Sequence, residues 1–196
     1  MPIEKIVPDA TTTPHPTWID VSGGTGNVNL ALDADDLNYA TIAGAQTGRN
    51  FTVSFGNLTS DIASINSIQF YINGFDSGVR GGSDVVSFDL LNASDSSYSL
   101  SENKTFTDTT LSTIQSGTER TTIDGSTAWT ESKVNGLRMK VTWATENNAA
   151  CELSLDHLYI DVDYNESLVD TYNTNDSKIH VGAGTLYVQS GTIYIN

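Results

Sequence analysis

The sequence predicts an all-β protein, an antiparallel β-sandwich of the jelly-roll type that carries an extended N-terminal arm and a C-terminal tail of short repeated strands. Three observations predict this class. Apolar and polar residues alternate in several segments, turn-forming Gly, Asn, Asp and Ser residues separate these segments, and helical periodicity is nearly absent. A chain of 196 residues has room for one domain with appendages.

The N-terminal segment, residues 1–17, contains all four prolines of the chain and a run of threonines. Proline fixes φ near its extended value and lacks a backbone donor, so this composition predicts an extended arm without a core of its own. The sandwich is predicted to follow at residues 18–164. A polar linker and a repeating tail then occupy residues 165–196.

Four segments of the predicted sandwich show period-two alternation, which gives a strand one apolar and one polar face. The predicted inward-facing residues are Phe51, Val53 and Phe55; Ile68, Phe70 and Ile72; Val86, Phe88 and Leu90; and Leu137, Met139, Val141 and Trp143.

The segment CELSLDHLYIDVDY changes its phase within one predicted strand. Leu153 and Leu155 lie in one phase, Leu158 and its successors lie in the other, and the change falls at Asp156-His157. A one-residue change of phase predicts a bulge or a corner between sheets.

One helical turn is predicted within TESKVNG, residues 130–136. Thr130 is the predicted N-cap, and Asn135-Gly136 is the predicted stop.

The composition restricts the partners of the chain. Nine Lys and Arg residues face 24 Asp and Glu residues, which gives a formal net charge of -15. Such acidity repels phosphate backbones and anionic lipids, so neither nucleic acid nor a membrane surface is a predicted partner. A cation, a basic protein surface and a neutral glycan remain compatible with the charge. The N-terminus lacks the apolar run of a signal peptide, and Cys151 is the single cysteine.

The sequence contains no catalytic motif, so we expect no enzyme and assign no catalytic residue. His15, His157 and His180 are scattered through the predicted arm, a strand and the tail. A pair of carboxylates for glycoside hydrolysis is recognised only by its separation in space, so a glycosidase stays a third hypothesis.

The densest acidic stretch is ALDADDLNYATI, in which Asp33, Asp35 and Asp36 are candidate calcium ligands. Calcium binds six to eight oxygen atoms, which spaced carboxylates on a loop can supply. The EF-hand pattern fails here because it lacks its central glycine and its final glutamate. The favoured alternative is therefore an Asx-rich turn that enters a strand at Tyr39, with no cofactor bound.

The chain ends in IHVGAGTLYVQSGTIYIN, a seven-residue refrain of short apolar strands and glycine turns. Such short strands bury too little surface to be stable alone, and the tail holds fewer than the roughly three repeats that an array needs. We therefore expect the tail to contact other subunits in a homo-oligomer, with a trimer as the working assumption. The predicted contact residues are Ile179, Val181, Leu186, Tyr187, Val188, Ile193, Tyr194 and Ile195.

Four motifs resemble those of accessory virion proteins of tailed bacteriophages, a diverse group with β-sandwich domains. They are a D-x-x-Y-A-T turn at residues 36–41, an I-x-x-I-x-F-x-I-x-G strand at 65–74, a W-T-x-x-x-V-N-G segment at 129–136, and an I-D-V-x-Y strand at 160–164. The resemblance covers roughly residues 18–164. It implies a structural, non-catalytic component of the head, neck or tail.

Two functional hypotheses follow from the tail and this resemblance. The leading one is a virion protein, assembled in the host cytoplasm, that decorates or cements the capsid by clasping neighbouring subunits through its terminal extensions. Its partners would be capsid, neck or tail proteins. The alternative is a neck or tail-fibre component that binds host glycans through loop aromatics such as Trp129, with calcium near Asp33 to Asp36.

Overall fold

The computed structural model describes residues 2–13, 19–20, 32, 39–43, 47–76, 83–107, 114–145 and 152–167. These residues form eleven strands and one short helix. In chain order they are β1 (Ile3–Ile6), β2 (Pro8–Thr13), β3 (Ile19–Asp20), β4 (Ala40–Ala43), β5 (Asn50–Phe55), β6 (Ile62–Asp76), β7 (Asp84–Leu91), β8 (Ser97–Phe106), β9 (Gln115–Ser116), α1 (Glu131–Val134), β10 (Arg138–Thr145) and β11 (Glu152–Glu166).

The strands form two antiparallel sheets. The first sheet has the order β3-β4-β11-β6-β9, with β1 also paired to β11, and the second has the order β2-β5-β10-β7-β8. Consecutive strands alternate between the sheets in several places, as in a jelly roll. The prediction of an antiparallel β-sandwich is therefore confirmed. No helix in the described part of the chain is both long and apolar enough to cross a membrane.

The core lies between the two sheets and contains the residues that alternation predicted to face inward. Phe51, Val86, Val141 and Trp143 have no exposed side-chain surface, and Ile72 is equally buried on the opposite sheet. The thirteen residues predicted to face inward are all buried. Period-two patterning thus identified one buried face of each of these four strands.

The predicted change of phase in β11 is also confirmed. The register between β11 and β6 shifts between Leu155 and Leu158, at the predicted Asp156-His157 position. Leu153 and Leu155 are buried before the shift, and Leu158 is buried after it. The bulge turns the side chain of His157 toward the outer face, where it can contact Tyr159.

The predicted helical turn forms α1, and Thr130 occupies its N-cap position. The side chain of Thr130 makes no capping hydrogen bond, whereas its carbonyl accepts hydrogen bonds from the Lys133 and Val134 amides. Asn135 ends the helix and accepts a hydrogen bond from the Leu58 amide at 2.7 Å through its side chain. Val134 is fully buried, so this turn anchors the loop before β10.

The N-terminal segment was predicted to be an extended arm outside the sandwich, and the structure differs from this. Its residues are extended, but β1 pairs with β11 in the first sheet and β2 pairs with β5 in the second. Ile6 is 3% exposed, and the Val7 carbonyl accepts a hydrogen bond from Gly56. Prolines are tolerated at strand starts and sheet edges, which is where Pro8 lies. Residues 3–13 therefore belong to the sandwich, and the expected boundary at residue 18 must move to the N-terminus.

The chain separates into two units, Met1–Glu166 and Ser167–Asn196. The first contains the sandwich. The predicted tail contacts, from Ile179 to Ile195, lie outside the described residues, as do the predicted calcium ligands Asp33, Asp35 and Asp36.

Candidate functional site

The outer face of the first sheet carries a set of aromatic and polar side chains on three adjacent strands, β1, β11 and β6. Lys5 lies opposite Asp161, and Asp161 lies opposite Gln69. One row further along, Ile3 lies opposite Asp163. Side chains that are directly opposite on one face of a sheet are close enough to interact. The antiparallel register therefore assembles this surface from residues that are distant in the sequence.

Two tyrosines form the centre of this surface, which we call the tyrosine face (Lys5, Tyr71, His157 and Tyr159). The rings of Tyr71 and Tyr159 are stacked, with centroids 4.8 Å apart and planes 12° apart. The His157 ring lies 4.7 Å from that of Tyr159, and the Lys5 ammonium lies 3.8 Å from the Tyr159 centroid. Tyr159 is buried by these neighbours, whereas Tyr71 is partly exposed. Tyr71 is therefore the ring that a ligand can reach.

Gln69 fixes the orientation of Tyr71. The Tyr71 hydroxyl donates to Oε1 of Gln69 at 2.8 Å, and Nε2 of Gln69 donates to the Gly117 carbonyl at 2.7 Å. The Gly117 carbonyl sets the amide orientation, because a flipped amide would place its oxygen against the carbonyl oxygen, whereas the Tyr71 hydroxyl can either donate or accept. The ring and the amide are thus held in place before any ligand arrives.

A hollow of about 160 Å³ lies beside the tyrosine face, and we call it the acidic hollow. Its lining includes an aliphatic side chain, an aromatic ring, an amide, a hydroxyl and three carboxylates. These residues are Ile3, Ser67, Gln69, Tyr71, Glu119, Asp161 and Asp163. Ile3 is 64% exposed, so its aliphatic surface is accessible at the rim of the hollow. The combination offers both apolar contact and hydrogen-bond acceptors.

The carboxylates of the hollow are positioned by neutral donors. Glu119 accepts a hydrogen bond from Ser67 at 2.7 Å, and Asp163 accepts one from the Asn66 side-chain amide at 3.2 Å. Burial raises the pKa of Asp161, and the nearby Lys5 ammonium offsets only part of this shift. In the ionised state each carboxylate keeps lone pairs available for further donors.

The same environment acts on the tyrosines. Burial, followed by the negative charges of Asp161 and Glu119, raises the pKa of Tyr71. Burial, followed by Asp161 and Tyr71, raises the pKa of Tyr159. Both phenols are therefore protonated at neutral pH, and their hydroxyl groups can act as hydrogen-bond donors.

The wall formed by residues 114–120 is attached to β8 through Glu102. Both carboxylate oxygens of Glu102 lie 2.9 Å from the Thr118 amide, and Oε1 also accepts from Arg120 at 2.8 Å. Lys104 lies 3.5 Å from Oε2 and donates to the Ser116 carbonyl. Burial alone would raise the pKa of Glu102, but the bonds from Thr118 and Arg120 outweigh it and lower the pKa. This network holds Glu119 at the edge of the hollow.

Sequence reasoning did not identify this site. The inward phase of β6 and β11 was recognised, so the outward positions of Tyr71, Tyr159, Asp161 and Asp163 were readable from the same alternation. The missing information was the strand pairing, which alone places Tyr71 beside Tyr159. His157 was considered only as a catalytic residue.

The glycan hypothesis had named Trp129, and the structure corrects this expectation. Trp129 is 3% exposed, and its indole Nε1 donates to the Arg120 carbonyl at 3.0 Å. It packs in the core beneath Tyr98, so it presents no ring for a sugar. Within the described residues, no group of three or more His, Cys, Asp or Glu side chains is arranged to hold a metal ion.

This chain is similar to solved structures of two carbohydrate-binding modules. No protein-family model matches it, and no curated protein matches it. Among solved structures, it is similar to the CBM36-1 domain of a multidomain xylanase from the hindgut metagenome of Trinervitermes trinervoides, with a TM-score of 0.43 and 8% identity over 85% of this chain and 100% of that one. It is also similar to a carbohydrate-binding module, CBM36, in complex with calcium and xylotriose, with a TM-score of 0.37 and 14% identity over 83% and 100% of the two chains. Both TM-scores are below 0.5, so we infer nothing about ligands or function from these similarities.

Proposed function

We propose that this chain is a carbohydrate-binding domain and that the tyrosine face and the acidic hollow form its binding site. The observation that carries the proposal is the partly exposed Tyr71 ring, fixed by Tyr159 and Gln69, at the edge of a hollow with three carboxylates. Ligand sites commonly combine aromatic surface with a few well-placed polar groups, and this arrangement has both.

The chemistry of the site suits a sugar ring. A pyranose has an apolar C–H face, which can pack on the Tyr71 ring and on the exposed Ile3 side chain. Its hydroxyl groups are donors as well as acceptors, and ionised Asp161, Asp163 and Glu119 only accept. Hydrogen bonds to charged groups are the stronger kind, so the carboxylates can orient the sugar.

The charge of the hollow favours a neutral sugar. Asp161, Asp163 and Glu119 line it, and the Lys5 ammonium beside Asp161 compensates only part of their negative charge. A uronic or sialic acid would place a further negative charge beside these groups, which is unfavourable. We therefore assign neutral oligosaccharides as the ligand class.

Isothermal titration calorimetry with cellohexaose, xylohexaose, mannohexaose, chitohexaose and acidic oligogalacturonate tests this proposal. We expect at least one neutral hexasaccharide to bind, oligogalacturonate not to bind, and Tyr71→Ala to weaken the interaction strongly. Lys140→Ala, on the outer face of the second sheet, is the control and should bind like the wild type. Absence of binding to all four neutral sugars, or binding that Tyr71→Ala does not weaken, would refute the assignment.

The same samples separate binding from hydrolysis. Three carboxylates line the hollow, and a catalytic pair of carboxylates is the third hypothesis from the sequence. We propose binding alone and expect no increase in reducing ends after prolonged incubation with any bound oligosaccharide. Release of shorter products by the wild type would reassign the domain as a glycoside hydrolase.

A second proposal concerns the location of the domain, which we place in a bacteriophage virion, as a decoration, neck or tail-fibre component. The motif resemblance supports it. Three of the four motifs contribute buried residues to the core of the sandwich, namely Ile68, Trp129, Val134 and Ile160. The shared motifs therefore lie in the folded domain. A glycan-binding sandwich on a tail fibre would unite both proposals.

Quantitative mass spectrometry of purified phage particles tests the location. A copy number similar to that of the major capsid protein supports capsid decoration, and a few copies per particle support a neck or tail position. Deletion of residues 179–196 should leave the sandwich folded but abolish incorporation, because the repeated strands are the predicted contacts. Incorporation of the truncated chain at the wild-type level would contradict clasping by the tail.

A further inference from the structure

A second and larger concavity lies next to the acidic hollow. We call it the side groove; it has a volume of about 450 Å³ and is lined by residues 98–100 of β8 and by residues 119–125. Ligand-binding clefts commonly have volumes of about 300–1,000 Å³. The side groove falls in this range, whereas the acidic hollow, at about 160 Å³, is smaller.

Glu119 lines both concavities, so they meet at this residue. Its neighbour Arg120 is fixed from three directions. The Arg120 amide donates to the Ile68 carbonyl at 2.8 Å, its carbonyl accepts from the Ile68 amide at 3.0 Å, and its guanidinium donates to Glu102 at 2.8 Å. Trp129 also donates to the Arg120 carbonyl. These hydrogen bonds fix the backbone next to Glu119, where the two concavities meet.

Tyr98 gives the side groove an aromatic wall. Its ring meets that of Trp129 edge to face, with centroids 5.8 Å apart and planes at 82°. Tyr98 is partly exposed, while Trp129 beneath it is buried. The ring therefore packs against the core, and its exposed part lines the side groove.

A second wall of the groove is a tight turn around Asp124. This carboxylate accepts hydrogen bonds from the Thr127 amide at 2.6 Å and the Ser126 amide at 3.1 Å. It also accepts from the hydroxyl groups of Thr127 and Ser126. The bonds from Thr127 and Ser126 lower the pKa of Asp124 well below its usual range. Both walls of the groove are therefore preorganised, which reduces the entropy lost on binding.

We propose that the acidic hollow and the side groove form one continuous site for an unbranched neutral oligosaccharide, with Tyr71 and Tyr98 as its two aromatic contacts and Glu119 between them. This inference rests on the proposed carbohydrate binding and specifies its ligand as a chain of several sugar units. A disaccharide occupies one concavity, and a hexasaccharide reaches both. The guanidinium of Arg120 is engaged by Glu102, so the groove offers little attraction to acidic chains.

Affinities for a series of lengths test the inference. Calorimetry with the di-, tri- and hexasaccharide of the neutral sugar that binds should show affinity rising at least about tenfold from the disaccharide to the hexasaccharide. Tyr98→Ala should reduce the ratio of hexasaccharide to disaccharide affinity toward one, whereas Tyr71→Ala should weaken every length. Tyr98→Phe keeps the packing on Trp129 and should retain most of the ratio.

A second variant distinguishes a loss of sugar contacts in the side groove from a loss of folding. Thr121 is exposed and lines the groove, so Thr121→Met adds bulk there without removing a buried contact. It should lower the ratio while the melting temperature stays at the wild-type value. Two results would overturn the continuous site but leave the proposed function standing. One is equal affinity for the disaccharide and the hexasaccharide. The other is a ratio of hexasaccharide to disaccharide affinity that is unchanged in both Tyr98→Ala and Thr121→Met. Failure of every length to bind overturns the proposed function itself.

Discussion

Tyr71 and Tyr159 occupy directly opposed positions on β6 and β11, and their rings stack with centroids 4.8 Å apart. A stacked aromatic pair on an outer sheet face contributes about 0.5–1.5 kcal/mol beyond its buried area. Because β6 and β11 are the longest of the described strands, of 15 residues each, and pair along most of their length, the pair lies on continuously hydrogen-bonded backbone. Rigid placement suits a binding surface, since little order must be gained when a ligand arrives.

The hydroxyl of Tyr71 has a role that differs from that of its ring. Tyr71→Phe removes the hydrogen bond to Gln69 and keeps the stack on Tyr159. We expect a modest loss of sugar affinity, of about 0.5–1.5 kcal/mol, because Gln69 loses one of its two partners. Calorimetry with the hexasaccharide that the wild type binds measures this loss of affinity. Equal affinities of Tyr71→Phe and Tyr71→Ala would show that the ring itself contributes nothing.

Sugar affinity should depend on pH through Asp161. Burial raises the pKa of Asp161 above the ordinary value of about 3.9, so this carboxyl takes up a proton at a higher pH than an exposed aspartate does. A protonated carboxyl accepts hydrogen bonds less well, and affinity should fall as the pH is lowered through this pKa. Asp161→Asn should bind weakly at neutral pH and lose most of this pH dependence. Calorimetry across the acidic range gives the profile, and Asp61→Asn, at an exposed position, is the charge-matched control.

The ionised form of Asp161 favours sugar binding but should oppose folding. Because its folded-state pKa is raised, burial of the ionised form opposes folding at neutral pH, and this cost disappears when the pH falls below the unfolded-state pKa. Asp161→Asn should therefore unfold at the same temperature as the wild type or higher at neutral pH, although it binds sugar poorly. Thermal unfolding followed by circular dichroism measures this. A clearly lowered melting temperature at neutral pH would contradict the favourable effect of removing the charge.

Glu102 should stabilise the wall of the site. Glu102→Gln replaces one acceptor oxygen with a donor, which opposes the Thr118 amide or the Arg120 guanidinium. We expect a loss of about 1–3 kcal/mol of unfolding free energy. Since the pKa of Glu102 is lowered, its contribution is present above the ordinary glutamate pKa of about 4.3 and is lost as the pH falls through the folded-state value.

Urea unfolding of wild type and Glu102→Gln at several pH values tests this prediction. The difference between the two proteins should be largest at neutral pH and should shrink in acid. A difference that grows on acidification would mean that the carboxylate does not act in its ionised form.

Gly117 should tolerate no side chain. Its amide donates to the Phe70 carbonyl at 2.7 Å, and a Cβ atom at this position would overlap the Phe70 ring. Phe70 is 4% exposed and packs on Phe88 in the core, so it has little room to move. Gly117→Ala should cost about 1–3 kcal/mol of unfolding free energy, as overpacked cores do. It should also weaken sugar binding, because the Gly117 carbonyl holds Gln69.

Gly56→Ala provides the matched control for this substitution. A Cβ atom at Gly56 would lie 3.8 Å from the Val7 carbonyl oxygen, which is an ordinary contact. Chemical unfolding should show no loss for Gly56→Ala, and a gain of up to about 1 kcal/mol is expected from the reduced freedom of the unfolded chain. Equal stability of the two alanine variants would show that Gly117 is not closely packed on Phe70.

The N-terminal strands should be required for the stability of the sandwich. Ile6 is 3% exposed, so Ile6→Ala should cost about 2–5 kcal/mol, whereas Ile3→Ala, at a 64% exposed position, should change stability by less than about 0.5 kcal/mol. Urea denaturation of both variants measures the difference. A free arm would make both substitutions neutral, which is the result that would restore the prediction from the sequence.

Much of the fold could be predicted from the sequence because alternation is a local property. Phe51, Met139 and Ile160 show their buried phase within a few residues of chain, and the bulge at Asp156-His157 appears as a break in that phase. The N-terminal strands were missed because their prolines and threonines carry little alternation. Their burial depends on pairing with β11 and β5, which are distant in the sequence.

The tyrosine face and the acidic hollow could not be predicted because they depend on pairing across three strands. Tyr71, Asp161 and Lys5 belong to separate strands, and only the register places them on one face. Trp129 illustrates the opposite error, because an aromatic residue beside a loop can be exposed or buried and the sequence does not distinguish the two. The bond from its indole to the Arg120 carbonyl is a long-range outcome of the fold.

The central claim is that a neutral oligosaccharide binds on the tyrosine face, and backbone amide NMR during a titration tests it most directly. The probes are cellohexaose, xylohexaose, mannohexaose and chitohexaose, added separately to the full chain. Binding of one of them should shift the amide resonances of Tyr71, Tyr159 and Asp161 while that of Lys140, on the other sheet, stays unchanged. Shifts confined to the second sheet, or no shifts with any of the four sugars, would contradict the claim.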